Sequence, residues 1–210
     1  MAKNENISMS VIRRMPRYYR FLTLLIENDI VRISSKELSA RMGITASQIR
    51  QDLNCFGGFG QQGYGYIVAD LQKEIGNILG LNNLKKTIVI GAGNIGRVVS
   101  THMILENQGF KLIGIFDKSE SLINTSIRGI KIQDSTNLES FCKKNSPLVA
   151  AVCIPTESVP EIADRLIALG IKAFWNFSHF DILVKYPDIA VENVHLNDSL
   201  MTLSYKSNEL

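Results

Sequence analysis

The chain has 210 residues, enough for one domain or two small ones. Apolar residues make up 45% and charged residues 20%, which excludes a largely disordered chain. The net charge of +3 excludes a histone-like polycation and an acidic tail; the whole excess falls in residues 1–81, where ten cations meet seven anions, while the remainder carries thirteen of each.

Three scattered cysteines (Cys55, Cys142, Cys153) without CxxC spacing argue against a disulfide framework or a cysteine zinc site. The start MAKNENISMS is polar and lacks the apolar core of a signal peptide. The longest apolar run, Leu148 to Ile154, is too short to span a bilayer. These features predict a soluble, cytoplasmic protein with no membrane or metal partner.

Periodicity changes near Gly80-Leu81-Asn82-Asn83, a linker-like stretch that separates a domain at 1–80 from a second at 84–195, with a tail at 196–210. In the first, Pro16 suits the first turn of a helix, and Tyr19, Leu22, Leu25 and Ile26 follow at helical spacing. Ser34-Ser35-Lys36-Glu37 has the spacing of a capping box, in which hydroxyl and carboxylate each serve the other's amide. A short helix runs from it to Met42, and Gly43 supplies a turn with positive φ. Thr45 to Gln48 repeats the capping pattern and opens another helix, with Ala46, Ile49 and Leu53 inward and Ser47, Gln48, Arg50, Gln51 and Asn54 outward. Helix, glycine turn, helix is the helix-turn-helix pattern. Thr45, Ser47, Gln48 and Gln51 are short polar or amide groups suited to base edges, and Arg50 suits phosphate or guanine. Gly57 to Val68, with Gln61, Gln62, Gly63 and Tyr64 at its tip, reads as the β-wing of a winged helix. A plain helical hairpin is the alternative. Arg14 and Arg17 are candidate phosphate contacts, although Arg13, Arg17 and Arg20 share a face only if one helix runs through Pro16.

The second domain opens on the strand run Lys85 to Ile90 and passes at once into Gly91-Ala92-Gly93-Asn94-Ile95-Gly96 and a helix from Arg97. This GxGxxG stands in the context its chemistry needs, with a strand before and a helix after. Gly91 allows the turn, Gly93 lets a pyrophosphate approach, and Gly96 lets helix and strand pack closely. The phosphate then meets the helix N-terminus. A second strand, Lys111 to Phe116, ends in Asp117, placed to hold a ribose diol and so to favour NAD over NADP, with Lys118 beside it. Further units follow: a strand near Ile130–Ile132, a helix Asn137–Lys143, a strand ending at Pro155, a helix Val159–Leu169, and a strand ending at Asn176. Pro155 and Asn176 therefore belong to the loops that line a nucleotide crevice. A last short helix near Asp198–Tyr205 packs on its own chain or reaches into a partner.

A dehydrogenase adds a substrate domain and a proton-transferring group to such a fold. Only about 30 residues follow this sheet, and no Ser-His-Asp or HExxH pattern is present. His102, His179 and His195 are placed where any could face a nicotinamide. A DNA-reading head on a dinucleotide fold without a substrate domain points to a sensor and not an enzyme. A small NAD-dependent oxidoreductase is the alternative.

Arg14-Met15-Pro16-Arg17-Tyr18-Tyr19-Arg20, Thr45 through Leu53, Phe56-Gly57 to Gly65-Tyr66, the Gly91–Gly96 fingerprint, Gly170-Ile171-Lys172, Trp175-Asn176-Phe177 and Val191-Glu192-Asn193-Val194 together carry a resemblance. The chain resembles the redox-sensing transcriptional repressor Rex family of bacteria over nearly its full length. The resemblance implies an α/β protein: a winged helix-turn-helix domain, a Rossmann-type parallel sheet domain, and a C-terminal helix swapped between subunits of a homodimer. It also implies binding of NADH and NAD+, a palindromic double-stranded operator, and release from DNA by NADH. The sequence departs from the family pattern at four places: His102 stands for a Tyr, His195-Leu196 for Asp-Phe, Ser178-His179 for Ala-Pro, and Gln51 for a Lys. A Rex-like regulator with weak or absent NADH/NAD+ discrimination is therefore a further alternative.

Overall fold

The computed structural model describes residues 7–57, 64–102 and 105–208, and forms two compact units, 1–82 and 83–210.

In the first unit, α1 (Met9–Ile12) ends before Pro16, and α2 (Met15–Glu27) starts with Pro16 in its first turn. The ring cannot donate a backbone N–H, so it sits where none is required, and the basic run is split between two helices. Strand β1 (Arg32–Ile33) leads to α3 (Ser35–Met42), whose Ser34–Glu37 capping box is complete in both directions. Gly43 closes α3 at φ +65°, and α4 (Ala46–Asn54) follows after the Thr45 cap. Strand β2 (Tyr66–Ile67) returns antiparallel to β1, as the base of a wing does. The wing tip predicted at Gln61, Gln62 and Gly63 lies outside the described residues. Helix α5 (Val68–Leu79) completes the unit. The core joins Met15, Tyr18, Leu22 and Leu25 of α2 with Leu38, Met42, Ile49 and Leu53 of the helix pair and Val68, Leu71 and Ile75 of α5.

The second unit contains β3 (Lys85–Ile90), α6 (Asn94–His102), β4 (Phe110–Asp117), β5 (Ser126–Ile127), β6 (Ile130–Asp134), α7 (Leu138–Asn145), β7 (Val149–Val152), α8 (Val159–Ala168), β8 (Ala173–Asn176), α9 (Ile182–Lys185), β9 (Ala190–Asn193) and α10 (Leu196–Ser207). The strands lie in the order β5-β6-β4-β3-β7-β8-β9. All neighbouring pairs are parallel except β5 with β6. Taken in chain order, the six parallel strands run 3-2-1-4-5-6, the doubly wound arrangement predicted from the sequence. Helices cover both faces, and two separate apolar clusters, around Phe116 and around Ile115, fill the layers. The order reverses between β3 and β7, so a crevice opens at their carboxyl ends.

Helix α10 has no buried residue. Leu196, Leu200 and Leu203, at i, i+4 and i+7, are 61%, 62% and 60% exposed. Among the described residues, no helix is long and apolar enough to cross a membrane.

Candidate functional site

The helix pair presents α4 outward. Thr45 caps it, its hydroxyl accepting the Gln48 amide at 3.1 Å. The second half of the expected capping box is missing, because the Gln48 carboxamide goes elsewhere: Nε2 donates to Asp52 Oδ1 at 2.8 Å, one turn on. Asp52 is fully buried. Its other partners are Arg14, which donates through Nε at 2.7 Å and through a terminal nitrogen at 2.7 Å, and Tyr18 Oη at 2.9 Å. Burial pushes the Asp52 carboxyl up, but the bonds from Arg14, Gln48 and Tyr18 outweigh it and hold it below the usual carboxylate range. The same bond and charge push Arg14 up, and burial with the Asp52 bond pushes the Tyr18 phenol up. The sequence reading did not single out Asp52; the i,i+4 spacing from Gln48 was the available signal.

Arg17 donates to the Met42 carbonyl at the end of α3, and Arg50 to Ser35 Oγ at 3.0 Å. Both predicted DNA contacts therefore also brace the helix pair. Ser47, Arg50, Gln51, Asn54 and Cys55 line one open, shallow surface pocket. Tyr64, at the described end of the wing, is 71% exposed.

In the second unit, Gly91, Gly93, Asp117, Lys118 and Pro155 line one crevice at the β3–β7 reversal, together with Ile90, Phe116, Ser135, Cys153, Ile154, Ser158 and Ile162. The two serines and the apolar residues among them escaped the sequence reading because they arrive from separate strands and loops. Gly91 has φ +92°, and a Cβ there would stand 2.6 Å from the Cys153 carbonyl oxygen. A Cβ at Gly96 would stand 1.8 Å from the Gly91 carbonyl oxygen, so α6 sits against the loop only because residue 96 has no side chain. A Cβ at Gly93 would meet nothing within 4 Å, leaving its backbone open to a ligand. Ala92 is buried, whereas Asn94 and Ile95 are exposed on the first turn of α6. The Asp117 carboxylate ties the loop to the end of β4: Oδ2 accepts the Ala92 amide at 2.6 Å and Oδ1 the Ser119 amide at 2.8 Å. Burial pushes the Cys153 thiol up to about 12, so this crevice cysteine is an unreactive thiol at neutral pH.

Asn176 is placed differently from the other predicted crevice residues. It is fully buried, and its polar atoms are taken up within the protein. Nδ2 donates to the Phe180 carbonyl and to Asn193 Oδ1, each at 2.9 Å. Oδ1 accepts from the Ser178 amide at 3.1 Å and from its hydroxyl at 2.7 Å. The residue thus fastens the ends of β8 and β9 together. His195 lies within 3.2 Å of the Ser178 carbonyl through Nε2 and within 3.4 Å of Asp198 through Nδ1. Its ring centroid is 5.4 Å from that of His179. His102 is the last residue of α6.

A family model described as "Putative DNA-binding protein N-terminus" matches residues 6–54, and one described as "CoA binding domain" matches residues 82–180. The redox-sensing transcriptional repressor Rex of Thermoanaerobacter pseudethanolicus is 51% identical over 209 residues, covering 100% of this chain and 93% of that protein. The chain belongs to the Rex family. The Rex of Clostridium perfringens is 51% identical over 208 residues, 99% of this chain and 98% of the relative. A crystal structure of RSP with β-NAD+ and operator DNA matches at a TM-score of 0.91 and 50% identity, covering 98% of this chain and 94% of that one. A second, of RSP with β-NADH, matches at 0.89 and 48% identity, covering 97% and 95%. Of the positions where the sequence departs from the Rex pattern, Ser178, His179 and His195 come together at the ends of β8 and β9.

Proposed function

We propose that this protein is a cytoplasmic transcriptional repressor that holds a palindromic operator as a homodimer and releases it when NADH replaces NAD+. The observation that carries the reading is the union, in one chain, of an outward-facing α4 and a fingerprint loop at a sheet's topological switch point. The Rex relatives support it: one structure holds operator DNA with β-NAD+, and another holds β-NADH. In this reading Ser47, Arg50 and Gln51 meet the major groove, Arg14, Arg17 and Thr45 lie towards the backbone, and the wing around Tyr64 completes the DNA face. Gly91 to Gly96 cradle the pyrophosphate at the start of α6, Asp117 and Lys118 bracket the adenosine ribose, and Pro155 closes the opposite wall. His102 and His195 lie towards the nicotinamide, and Asn176 acts by holding the strand ends on which His195 stands. The protein acts as a regulator and not as an enzyme.

The release is a two-state equilibrium biased by the differential affinity of the two nucleotides. Titrating operator binding separately with NADH and NAD+, at one stated salt concentration, tests it. NADH lowers operator affinity by at least about tenfold relative to NAD+, a coupling of about 1.4 kcal/mol. Equal affinity with both nucleotides favours the regulator without discrimination, a reading to which the His179–His195 pair lends weight.

The homodimer rests on the exposed face of α10. Its three leucines stay more than half exposed among the described residues, and a second copy is the occupant that the C-terminal swap implies. Changing Leu200 and Leu203 together to lysine yields a folded monomer by sedimentation, with operator affinity reduced at least about a hundredfold because one half-site is lost. A double variant that still sediments as a dimer removes α10 from the interface.

A further inference from the structure

We propose that Asp52 fixes which way round Gln48 presents its carboxamide, making Gln48 a reader of the exocyclic amino group of adenine or cytosine. This rests on the DNA-binding reading and adds to it a residue that sets specificity and one that positions it.

A carboxylate offers only acceptors, so the atom facing Asp52 Oδ1 at 2.8 Å is the amide nitrogen of Gln48. Its oxygen, Oε1, is then on the opposite side of the group. Among the described residues Oε1 has no hydrogen-bond donor within the chain, and it is not among the buried atoms without a partner. It is an acceptor turned to solvent in the first turn of α4, where a groove-reading helix meets base edges.

The orientation is held from behind. Asp52 accepts two bonds on each oxygen: Arg14 and Tyr18 on Oδ2, Arg14 and Gln48 on Oδ1. Turning the Gln48 amide over would set Oε1 against Oδ1, acceptor against acceptor, and lose the bond that Nε2 makes. An unrestrained glutamine adapts to either kind of base by flipping. This one does not.

In the major groove adenine and cytosine offer N–H donors, at N6 and N4, whereas guanine and thymine offer the acceptors O6 and O4. A fixed acceptor therefore sorts the four bases into two pairs, A with C against G with T. That pairing differs from a purine–pyrimidine preference and from the guanine preference of an arginine. Where the second Nε2 hydrogen also reaches N7, adenine ranks ahead of cytosine.

The test uses the full-length protein and a pool of double-stranded DNA with randomised palindromic half-sites, followed by binding to every single-base variant of the enriched sequence. At one base pair per half-site the wild type prefers A or C over G and T by about tenfold. Gln48→Ala, which leaves Asp52 with Arg14 and Tyr18, flattens that base pair alone. Asp52→Asn can donate to Oε1 and free the flip, and it reduces or reverses the preference at the same base pair. Thermal melts confirm that each variant is folded. The proposal is overturned if Gln48→Ala weakens all sequences equally, if the base pair it flattens favours G or T, or if folded Asp52→Asn keeps the wild-type preference. A wild type that enriches no sequence overturns the DNA-binding reading itself, and this inference with it.

Discussion

Replacing Asp52 by alanine destabilises the N-terminal unit by about 3 kcal/mol, the cost of leaving the partners of a buried ion pair uncompensated. The size follows from what is stranded. The Tyr18 hydroxyl belongs to a residue with no exposed surface, so its donor goes unpaired in the core. The Arg14 side chain keeps 32% exposure and turns partly to water, which holds the cost below the upper end of such losses. By contrast, Lys185–Asp164 pairs two side chains exposed at 48% and 50%, and Asp164→Ala changes stability by less than about 0.5 kcal/mol. The effect has a pH signature. The Asp52 carboxyl is held below its ordinary value in the folded protein, so its contribution is fully present above the unfolded pKa and fades as pH falls through the folded one. The difference between wild type and Asp52→Ala is therefore constant near neutrality and shrinks in acid. Native-state hydrogen exchange of α2 and α4 amides, compared between wild type and variant from neutral to acid pH, measures both. A loss under about 0.5 kcal/mol at neutral pH would mean that the carboxylate does not tie these helices together.

The features legible in the sequence were those whose physics is local. The Ser34–Glu37 box declares itself because both its partners lie within four residues. The Gly91–Gly96 loop does so because a turn, a close ligand approach and a tight helix packing each demand a missing side chain at a fixed spacing. The network at Asp52 was hard to read because its main partner lies 38 residues away, and the i,i+4 spacing from Gln48 does not by itself mark an aspartate as inward-facing. The same carboxylate leaves the second capping box half made, since the Gln48 carboxamide donates to Asp52 instead of accepting the Thr45 amide. Helix α5 was missed although Val68, Leu71 and Ile75 carry helical spacing, because the glycine-rich wing runs straight into it without a capping side chain. Asn176 was read as a crevice residue from its strand-end position. Along β8 residues alternate in burial, and 176 falls on the buried side, where its amide serves the neighbouring strand. The crevice serines 135 and 158 come from different loops, and only the completed sheet brings them to the glycine loop.

Gly93 and Gly96, two residues before Ile95 and one after it, separate folding from binding in the nucleotide unit: Gly96→Ala weakens both, and Gly93→Ala weakens binding alone. At residue 96 the added methyl would overlap the Gly91 carbonyl oxygen at 1.8 Å, and backbone does not yield as a flexible side chain does. Helix α6 must move off the strand, which opens the loop and lowers the midpoint of thermal unfolding by about 5 °C or more. NADH affinity falls at least about a hundredfold, because the amides proposed to meet the pyrophosphate leave their places. At residue 93 the methyl meets nothing within 4 Å in the free protein and φ is not in the left-handed range, so the melt is unchanged. The methyl nevertheless occupies the side of the loop proposed to face the phosphates, and NADH affinity falls at least about tenfold. Calorimetric NADH titration beside a thermal melt distinguishes the two variants. Wild-type NADH binding by Gly93→Ala would place the phosphates away from this loop and undo the assignment of the crevice. If the assignment holds, Gly93→Ala is a folded regulator without its ligand response: it keeps operator affinity at NADH concentrations that release the wild type. That outcome ties a backbone position in one unit to DNA occupancy read out by the other, and a merely structural glycine would not produce it.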